Sequence, residues 1–197
     1  MINKLLRVTL AVALLSFGTV VFAGDQVQNG GFETGDFTGW TQFGDTSFNG
    51  VCSVSTCPGG YAPYAGTYAG FFGPVGDTGG IYQDITTVPG QDYTISFYLA
   101  LPVGGTPNSF EVQFGAAIFT LTNSPGTFDW TLFQINDMAT DTTTRLTFTF
   151  RNDPNYWFLD NVSLSGGGGT TPEPGTLVLF GSGLLGLASV IRRKLKR

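Results

Sequence analysis

Residues 94–99 read TISFYL, and the predicted fold class follows from their alternation. The aliphatic and phenylalanine positions alternate with Thr, Ser and Tyr. A period of two places the apolar side chains on one face of a strand and the polar ones on the other. Residues 109–114 (SFEVQF) and 146–151 (LTFTFR) repeat this pattern. The sequence therefore predicts half-buried β-strands.

Five further segments have strand character, and turn residues lie between them. The segments are residues 68–72, 80–87, 117–121, 129–135 and 156–165, and the turn pairs are 89–90, 125–126 and 153–154. Strands of this number and spacing predict an all-β fold, an antiparallel β-sandwich of two packed sheets. The 18 phenylalanines are enough to fill the core between the sheets.

Composition limits both the number of domains and the possible chemistry. The chain has 197 residues, with 29 glycines, ten prolines, two cysteines and no histidine. This length predicts one domain, and the glycine and proline content favours short strands joined by tight turns. Without histidine, the sequence excludes histidine acid–base catalysis, a Ser-His-Asp triad and the usual zinc sites.

The charges are distributed very unevenly along the chain. All acidic residues except Glu173 lie between residues 24 and 171, where Arg145 and Arg151 are the only basic residues. The other seven basic residues lie near the two ends. A strongly acidic central region repels phosphate backbones, so the sequence predicts no nucleic-acid binding.

Residues 1–23 have the organisation of a signal peptide. Lys4 and Arg7 form a positive start, residues 8–21 are mostly apolar, and the segment ends in VFA at 21–23. A small residue after a short apolar run is a cleavage pattern, so we expect the mature chain to begin at Gly24. An uncleaved anchor would need a longer apolar run.

The C-terminal region contains a second apolar segment. Residues 177–191 read LVLFGSGLLGLASVI and are followed by the basic run RRKLKR at 192–197. The pattern predicts a transmembrane helix over about residues 176–191, with its basic end in the cytoplasm and the central domain across the membrane. A buried core helix is disfavoured, since no face of the segment is polar.

A short motif precedes this segment. Residues 166–171 form a Gly/Thr linker, and Pro172, Glu173 and Pro174 follow it. The triplet, the glycine-containing apolar segment and the basic end, in this order over residues 172–197, resemble the PEP-CTERM sorting signal. The resemblance implies that an exosortase-type membrane enzyme recognises the triplet and processes the tail. The alternative is a rigid linker before a permanent anchor.

This resemblance also implies a cellular route. The chain would be exported across the inner membrane, held there transiently by its C-terminus, and then reach the cell surface or the extracellular matrix. Proteins of this class are typical of bacteria that make extracellular polysaccharide, so exopolysaccharide is the expected ligand class.

Three stretches of the central region resemble a second family. They are residues 29–33 (NGGFE) with Trp40 after them, residues 80–97, and residues 157–164 (WFLDNVSL). These stretches are similar to galactose-binding-like jelly rolls, which include many carbohydrate-binding modules. The resemblance implies a jelly-roll domain over residues 24–165.

Asp160 lies in the predicted last strand. In a regular strand it shares its parity with apolar neighbours and points toward the core, where a bare carboxylate is costly. The resembled modules commonly hold a structural calcium ion there, which implies a Ca²⁺ site of Glu33 and Asp160 with Asn29 or the carbonyls of residues 30–31. Alternatively, a bulge turns Asp160 outward, or Asn29 hydrogen-bonds within a turn.

Cys52 and Cys57 enclose four residues. Export to an oxidising compartment predicts a disulfide between them that makes a surface loop rigid. A metal site formed by two cysteines alone is disfavoured.

Tyr61, Tyr64 and Tyr68 lie in the loop that follows, at residues 58–68, which is rich in Gly, Pro and Ala. Their rings either stack on sugars or proteins, or cover the mouth of the sandwich.

The sequence favours an exported, non-catalytic binding or structural protein. A small glycan-active hydrolase is the enzymatic alternative, since two carboxylates suffice for glycoside hydrolysis, but no pair is singled out here. Residues 142–144 (TTT) suggest ice or surface binding, but no regular threonine repeat supports that function.

Overall fold

The computed structural model describes residues 26–123 and 126–166. The predicted signal peptide, the sorting signal with its transmembrane helix, and all but the first residue of the predicted linker lie outside these residues. Within the described residues, no helix has the length and apolar character needed to cross a bilayer.

Ten β-strands form the described part of the chain. They are β1 Thr41–Gly44, β2 Asn49–Ser53, β3 Tyr68–Phe72, β4 Gly79–Thr86, β5 Asp92–Leu101, β6 Asn108–Phe114, β7 Ala117–Thr122, β8 Phe128–Met138, β9 Thr143–Asn152 and β10 Trp157–Gly166. A 3-10 helix, Pro58–Gly60, lies between β2 and β3.

The strands form two five-stranded sheets with antiparallel pairing. Sheet A has the order β1-β4-β9-β6-β7, and sheet B has the order β2-β3-β10-β5-β8. Non-consecutive strands are therefore neighbours in both sheets. The predicted all-β antiparallel sandwich is confirmed.

The space between the sheets is filled mainly by aromatic side chains. Phe148 of β9 lies at the centre, with its ring centroid 5.2 Å from Phe97 of sheet B and 6.3 Å from Phe110 of β6. All three rings are buried, because each occupies an inward position of an alternating strand. The stretch at 94–99 thus contributes to the core as predicted.

The sequence does not predict two of the strands, β1 and β2. β1 pairs with β4, and β2 pairs with β3, each at the edge of its sheet. Both are short and rich in Gly, Thr, Gln and Asn, so their sequences contain no long alternation. Tertiary pairing, rather than local pattern, makes them strands.

The N-terminal segment packs against β10. The backbone N–H of Val162 donates to the carbonyl oxygen of Gly30 at 2.9 Å. A Cβ atom built on Gly30 would lie 1.9 Å from the carbonyl oxygen of Val162. Only glycine fits where these two backbone segments come so close, which explains the first glycine of the NGGFE stretch.

β10 contains a bulge that corrects one prediction. Its pairing with β5 shifts register between Asp160 and Ser163, and Asn161 has a φ of 50°. Leu159 and Val162 both belong to the core between the sheets, whereas Asp160 faces outward from sheet B. The regular parity assumed for Asp160 is wrong, because one extra residue in the strand reverses the alternation.

Asp160 is nevertheless buried, with 1% of its surface exposed. The loop after β2 covers it, since the backbone N–H of Ala65 donates to its Oδ2 at 3.1 Å. The alternative that the sequence left open, a bulge that turns Asp160 outward, is therefore present, and the loop keeps the outward side chain away from solvent.

Candidate functional site

The outer face of sheet A carries a mixed aromatic and polar surface, which we call the sheet A surface. Its members lie on β1, β4, β9 and β6, and the strand registers place them side by side. They are Phe43, Tyr82, Asp84, Glu111, Gln113, Arg145, Thr147 and Thr149. All are exposed or half-buried.

Tyr82 is the centre of the aromatic part of this surface. The guanidinium carbon of Arg145 lies 4.0 Å from the ring centroid of Tyr82, a cation–π contact. The ring of Phe43 lies 6.2 Å from that of Tyr82, tilted by 48°. Neighbouring strands therefore hold Tyr82 from two sides, so its ring position is fixed before any ligand arrives.

Arg145 is itself held by Asp84, directly opposite on β4. Arg145 Nε donates to Asp84 Oδ1 at 2.7 Å, and Nη2 donates to Oδ2 at 2.8 Å. The guanidinium holds the pKa of Asp84 below its usual value, and the carboxylate raises the pKa of Arg145. The pair stays charged over the physiological pH range.

The polar part of the surface continues on β9 and β6. Thr147 is opposite Gln113, and Thr149 is opposite Glu111. These side chains offer hydroxyl, amide and carboxylate groups beside an aromatic ring. Such a set can hydrogen-bond to the hydroxyl groups of a sugar while the ring contacts its apolar face.

The outer face of sheet B is partly covered by the loop after β2. Cys52 and Cys57 form a disulfide with an S–S distance of 2.04 Å, which confirms the predicted bond. Both cysteines are buried against Phe158 of β10 and Ala100 of β5. The bond holds the start of the loop against the sheet.

The three loop tyrosines have different surroundings. Tyr61 donates its hydroxyl hydrogen bond to Asp129 and packs against Phe158, with ring centroids 4.8 Å apart. Tyr68 packs against the core. Tyr64 is 40% exposed and stacks on Tyr98, with centroids 3.5 Å apart and rings 15° from parallel.

Tyr61 and Tyr68 thus have covering roles, whereas Tyr64 is the tyrosine of this loop that presents a substantial ring surface to solvent. Burial and the Asp129 carboxylate raise the pKa of the Tyr61 hydroxyl.

The structure brings two of the predicted calcium residues together. A Cβ atom built on Gly31 would lie 3.6 Å from Glu33 Cγ and 3.9 Å from Asp160 Oδ1, so both side chains flank this glycine. Glu33 accepts hydrogen bonds from the backbone N–H groups of Thr67 and Tyr68. The two carboxylates therefore join the N-terminal segment to the loop and to β10.

Asn29 does not point to this pair. Its Nδ2 donates to the carbonyl oxygens of Asp36 and Thr38, at 3.0 and 2.9 Å, and its Oδ1 accepts from the Thr34 N–H. The amide thus closes the turn, which is the alternative that the sequence left open for Asn29.

The pKa of the Asp160 carboxyl group lies above its ordinary value. Burial raises its pKa to about 6, and the nearby Glu33 carboxylate acts in the same direction. Backbone hydrogen bonds, including those from Ala65 and Asn161, oppose the shift only in part. In residues 26–123 and 126–166, the two ion pairs are Arg145–Asp84 and Arg151–Asp153, so neither neutralises Asp160.

These observations test the fit of a calcium ion. A buried carboxylate without a cation, beside a second carboxylate, suits Ca²⁺, which prefers oxygen ligands. Among the described residues, no group of three or more His, Cys, Asp or Glu side chains could hold a metal ion. A calcium site here would therefore need backbone carbonyl oxygens besides Glu33 and Asp160.

A family model described as the PEP-CTERM protein-sorting motif matches residues 170–194. The chain carries a PEP-CTERM sorting motif. The motif indicates a protein that is exported and processed at the membrane. Pro172, Glu173 and Pro174 lie within the matched PEP-CTERM residues, as the sequence predicted.

Solved structures resemble the central domain of the chain. TmCBM61 in complex with β-1,4-galactotriose is 20% identical, with a TM-score of 0.55 over 73% of this chain and 99% of that chain. The CBM22-1–CBM22-2 tandem domain of Paenibacillus barcinonensis Xyn10C is 17% identical, with a TM-score of 0.52 over 81% and 50%. No curated protein matches the sequence.

A third structure contains an enzyme module. The CBM22-1–GH10 modules of Clostridium thermocellum xylanase 10B, complexed with xylohexaose, are 16% identical, with a TM-score of 0.51 over 76% of this chain and 30% of that chain. At these identities the comparisons show the fold alone. The domain has the jelly-roll fold of carbohydrate-binding modules.

Sequence reasoning did not find the sheet A surface. The alternation of residues 146–151 and 109–114 separates outward from inward positions, and it includes Glu111 and Gln113 among the outward ones. It does not show that β9 lies between β4 and β6. The approach of Tyr82 to Arg145 therefore has no local signal in the sequence.

Proposed function

We propose that this protein is exported and acts beyond the inner membrane as a non-catalytic carbohydrate-binding protein. Its ligand is a polysaccharide, with the exopolysaccharide of the same cell as the natural candidate. The PEP-CTERM motif supports export, and the jelly-roll fold supports glycan binding. Its destination in this proposal is the cell surface or the extracellular matrix.

The sheet A surface is the observation that carries the binding proposal. It combines the fixed aromatic ring of Tyr82 with the guanidinium group of Arg145. The amide of Gln113 and neighbouring threonine hydroxyl groups lie beside them. Sugar recognition needs a flat apolar contact together with directional hydrogen bonds. A ring that is already held loses little conformational freedom on binding.

Processing by an exosortase-type enzyme is the second part of the proposal. Pro172 and Pro174 favour an extended backbone around Glu173, a form in which a peptide-cleaving enzyme can bind it. The apolar segment at 176–191 would hold the chain in the membrane until the tail is removed.

A structural calcium ion is the third part. Glu33 and Asp160 would hold it, and the ion would supply the positive charge that the buried Asp160 lacks. In this arrangement calcium joins the N-terminal segment to β10. Asn29 is left out, since its amide closes the turn.

Binding is tested with the full chain, purified in a detergent without a sugar head group. Affinity electrophoresis in gels containing xylan or β-1,4-galactan should retard the native chain. Tyr82→Ala and Arg145→Ala should each lower the affinity derived from the retardation about tenfold. This is the loss expected for one aromatic or charged contact. Val103→Ala, which changes an exposed side chain on the β5–β6 loop, is the matched control.

Unretarded migration in every polysaccharide tested, including the exopolysaccharide purified from the source organism, would contradict glycan binding. Reducing-sugar assays on the same polymers should show no hydrolysis, and sustained release would favour the hydrolase. For processing, mass spectrometry of the protein from its native host should find a C-terminus near residue 174. An intact C-terminus at Arg197 would contradict processing.

A further inference from the structure

Beyond the loop that covers it, the outer face of sheet B is open and carries two rows of uncharged polar side chains. Gln134, Ser96 and Ser163 are aligned across β8, β5 and β10, and Asn136, Thr94 and Ser165 are aligned in the next row. All six are exposed or half-buried. We call them the serine–amide rows.

Hydrogen bonds order the side chains within these rows. Gln134 Nε2 donates to Ser96 Oγ at 2.9 Å, and Thr94 Oγ1 donates to Asn136 Oδ1 at 2.7 Å. The rows therefore present amide and hydroxyl groups in fixed positions, spaced by the roughly 4.8 Å between strands. No row position is charged, although the domain as a whole is acidic.

A stacked pair of rings, Tyr98 and Tyr64, lies at one end of the rows, and we call it the aromatic step. Tyr98 follows Ser96 as the next outward residue of β5, and Tyr64 stacks directly on it. Leu132, opposite Tyr98 on β8, is 48% exposed. A ring face and an apolar side chain thus adjoin a field of neutral hydrogen-bonding groups.

The loop that carries Tyr64 is firmly attached to the sheet. The Cys52–Cys57 disulfide holds its start, Trp130 Nε1 donates to the Ala62 carbonyl oxygen at 3.0 Å, and Ala65 donates to Asp160. Tyr64 is therefore held in position before any ligand binds, which lowers the entropy lost on binding.

We infer that the aromatic step and the serine–amide rows form a second polysaccharide-binding surface, for a neutral glycan chain. The inference rests on the proposed function. An uncharged surface of hydroxyl and amide groups matches neutral sugars, whereas the acidic domain disfavours anionic polymers. The outer faces of two packed sheets point in opposite directions, so one molecule would bind two glycan chains and cross-link them.

Stoichiometry tests this inference. Titration calorimetry of the full chain, in a detergent without sugar head groups, uses xylohexaose or β-1,4-galactotriose, whichever the native chain binds. The native chain should bind two oligosaccharides. Tyr64→Ala should leave one site by weakening the other at least about tenfold, as loss of an aromatic contact predicts. The double variant Tyr82→Ala/Arg145→Ala should also leave one.

Cross-linking gives a second measurement. Turbidity of soluble xylan or galactan should rise with the native chain and stay low with either variant. Gln134→Ala changes a strand residue outside the loop and should weaken the same site as Tyr64→Ala, which separates lost contact from a loosened loop. Tyr64→Phe keeps the ring and should retain both sites.

The outcomes separate the two proposals. One site that Tyr64→Ala and Gln134→Ala leave unchanged would overturn the second surface while the sheet A proposal stands. One site lost with Tyr64→Ala but kept by the double variant would support the sheet B surface and contradict the sheet A assignment. Absence of binding by the native chain would overturn both.

Discussion

The outer faces of the two sheets place two aspartates in opposite environments. Asp84 on sheet A is exposed and held by Arg145, which lowers its pKa. Asp160 on sheet B is covered by a loop, lies near Glu33, and has its pKa raised to about 6. Sheet A is regular around Asp84, whereas a bulge follows Asp160. The pKa of a carboxylate on an outward strand position is therefore set by its neighbours, a guanidinium at Asp84 and a covering loop at Asp160.

The largest expected effect on stability comes from the contact between the N-terminal segment and β10. Gly30→Ala should lower the free energy of unfolding by about 3 kcal/mol, because the new Cβ would overlap the carbonyl oxygen of Val162. Urea denaturation measures the loss. Gly126→Ala is the control, since a Cβ there meets nothing within 4 Å, and it should change stability by less than about 0.5 kcal/mol. Equal urea midpoints for Gly30→Ala and the native chain would show that the contact of Gly30 with Val162 does not constrain the fold.

The second effect is a pH dependence that belongs to Asp160. Its pKa is about 6 in the fold against an ordinary value of 3.8, so the folded state binds more protons between these values. As pH falls from 7 to 4, this group should therefore add about 2 to 3 kcal/mol to the free energy of unfolding. Exposed aspartates with a lowered pKa, such as Asp84, act in the opposite direction. Denaturant titrations in EDTA measure the free energy of unfolding, and Asp160→Asn should remove the contribution of Asp160. A native chain that loses stability steadily over this range, in parallel with the variant, would contradict the assignment.

The third effect is confined to the covering loop. Replacing Cys52 and Cys57 by Ser should lower the free energy of unfolding by about 2 kcal/mol, the chain-entropy value for so short a closed loop. Thermal melts of the native chain should agree with the variant when reductant is present and lie at higher temperature when it is absent. Binding at the sheet A surface should persist, because neither cysteine lies on that sheet. Loss of both sites together would show that the two faces are coupled.

The smallest effect on stability is expected at the sheet A surface. Arg145→Lys should leave the melting midpoint unchanged within error, since the Arg145–Asp84 pair is exposed. Glycan binding should still weaken, because lysine keeps the charge but lacks the planar fork over Tyr82. A clear fall in the midpoint would show that Arg145 mainly stabilises the fold.

Regular alternation is what the sequence made predictable. Residues 94–99, 109–114 and 146–151 form central parts of β5, β6 and β9, because burial between two sheets imposes a period of two. The ordered PEP-CTERM pattern was equally accessible, since its elements are contiguous in the chain. Both signals are local.

The features that escaped prediction depend on distant parts of the chain. β1 is a strand only because β4 pairs with it. The burial of Asp160 requires a bulge at Asn161 and a cover from the loop that contains Ala65. Tyr82 and Arg145 meet because β9 pairs with β4. None of these pairings has a signal within a single segment.

The position of β10 has a mechanical consequence under the C-terminal anchoring that we propose. β10 is the central strand of sheet B, and its ladder with β5 extends from Phe158 opposite Ala100 to Gly166 opposite Tyr93. Tension on the tail, with the sandwich held by its ligand, pulls along the axis of this strand. The ladder bonds then share the force in shear instead of unzipping one by one, so the domain should resist extraction while it is tethered.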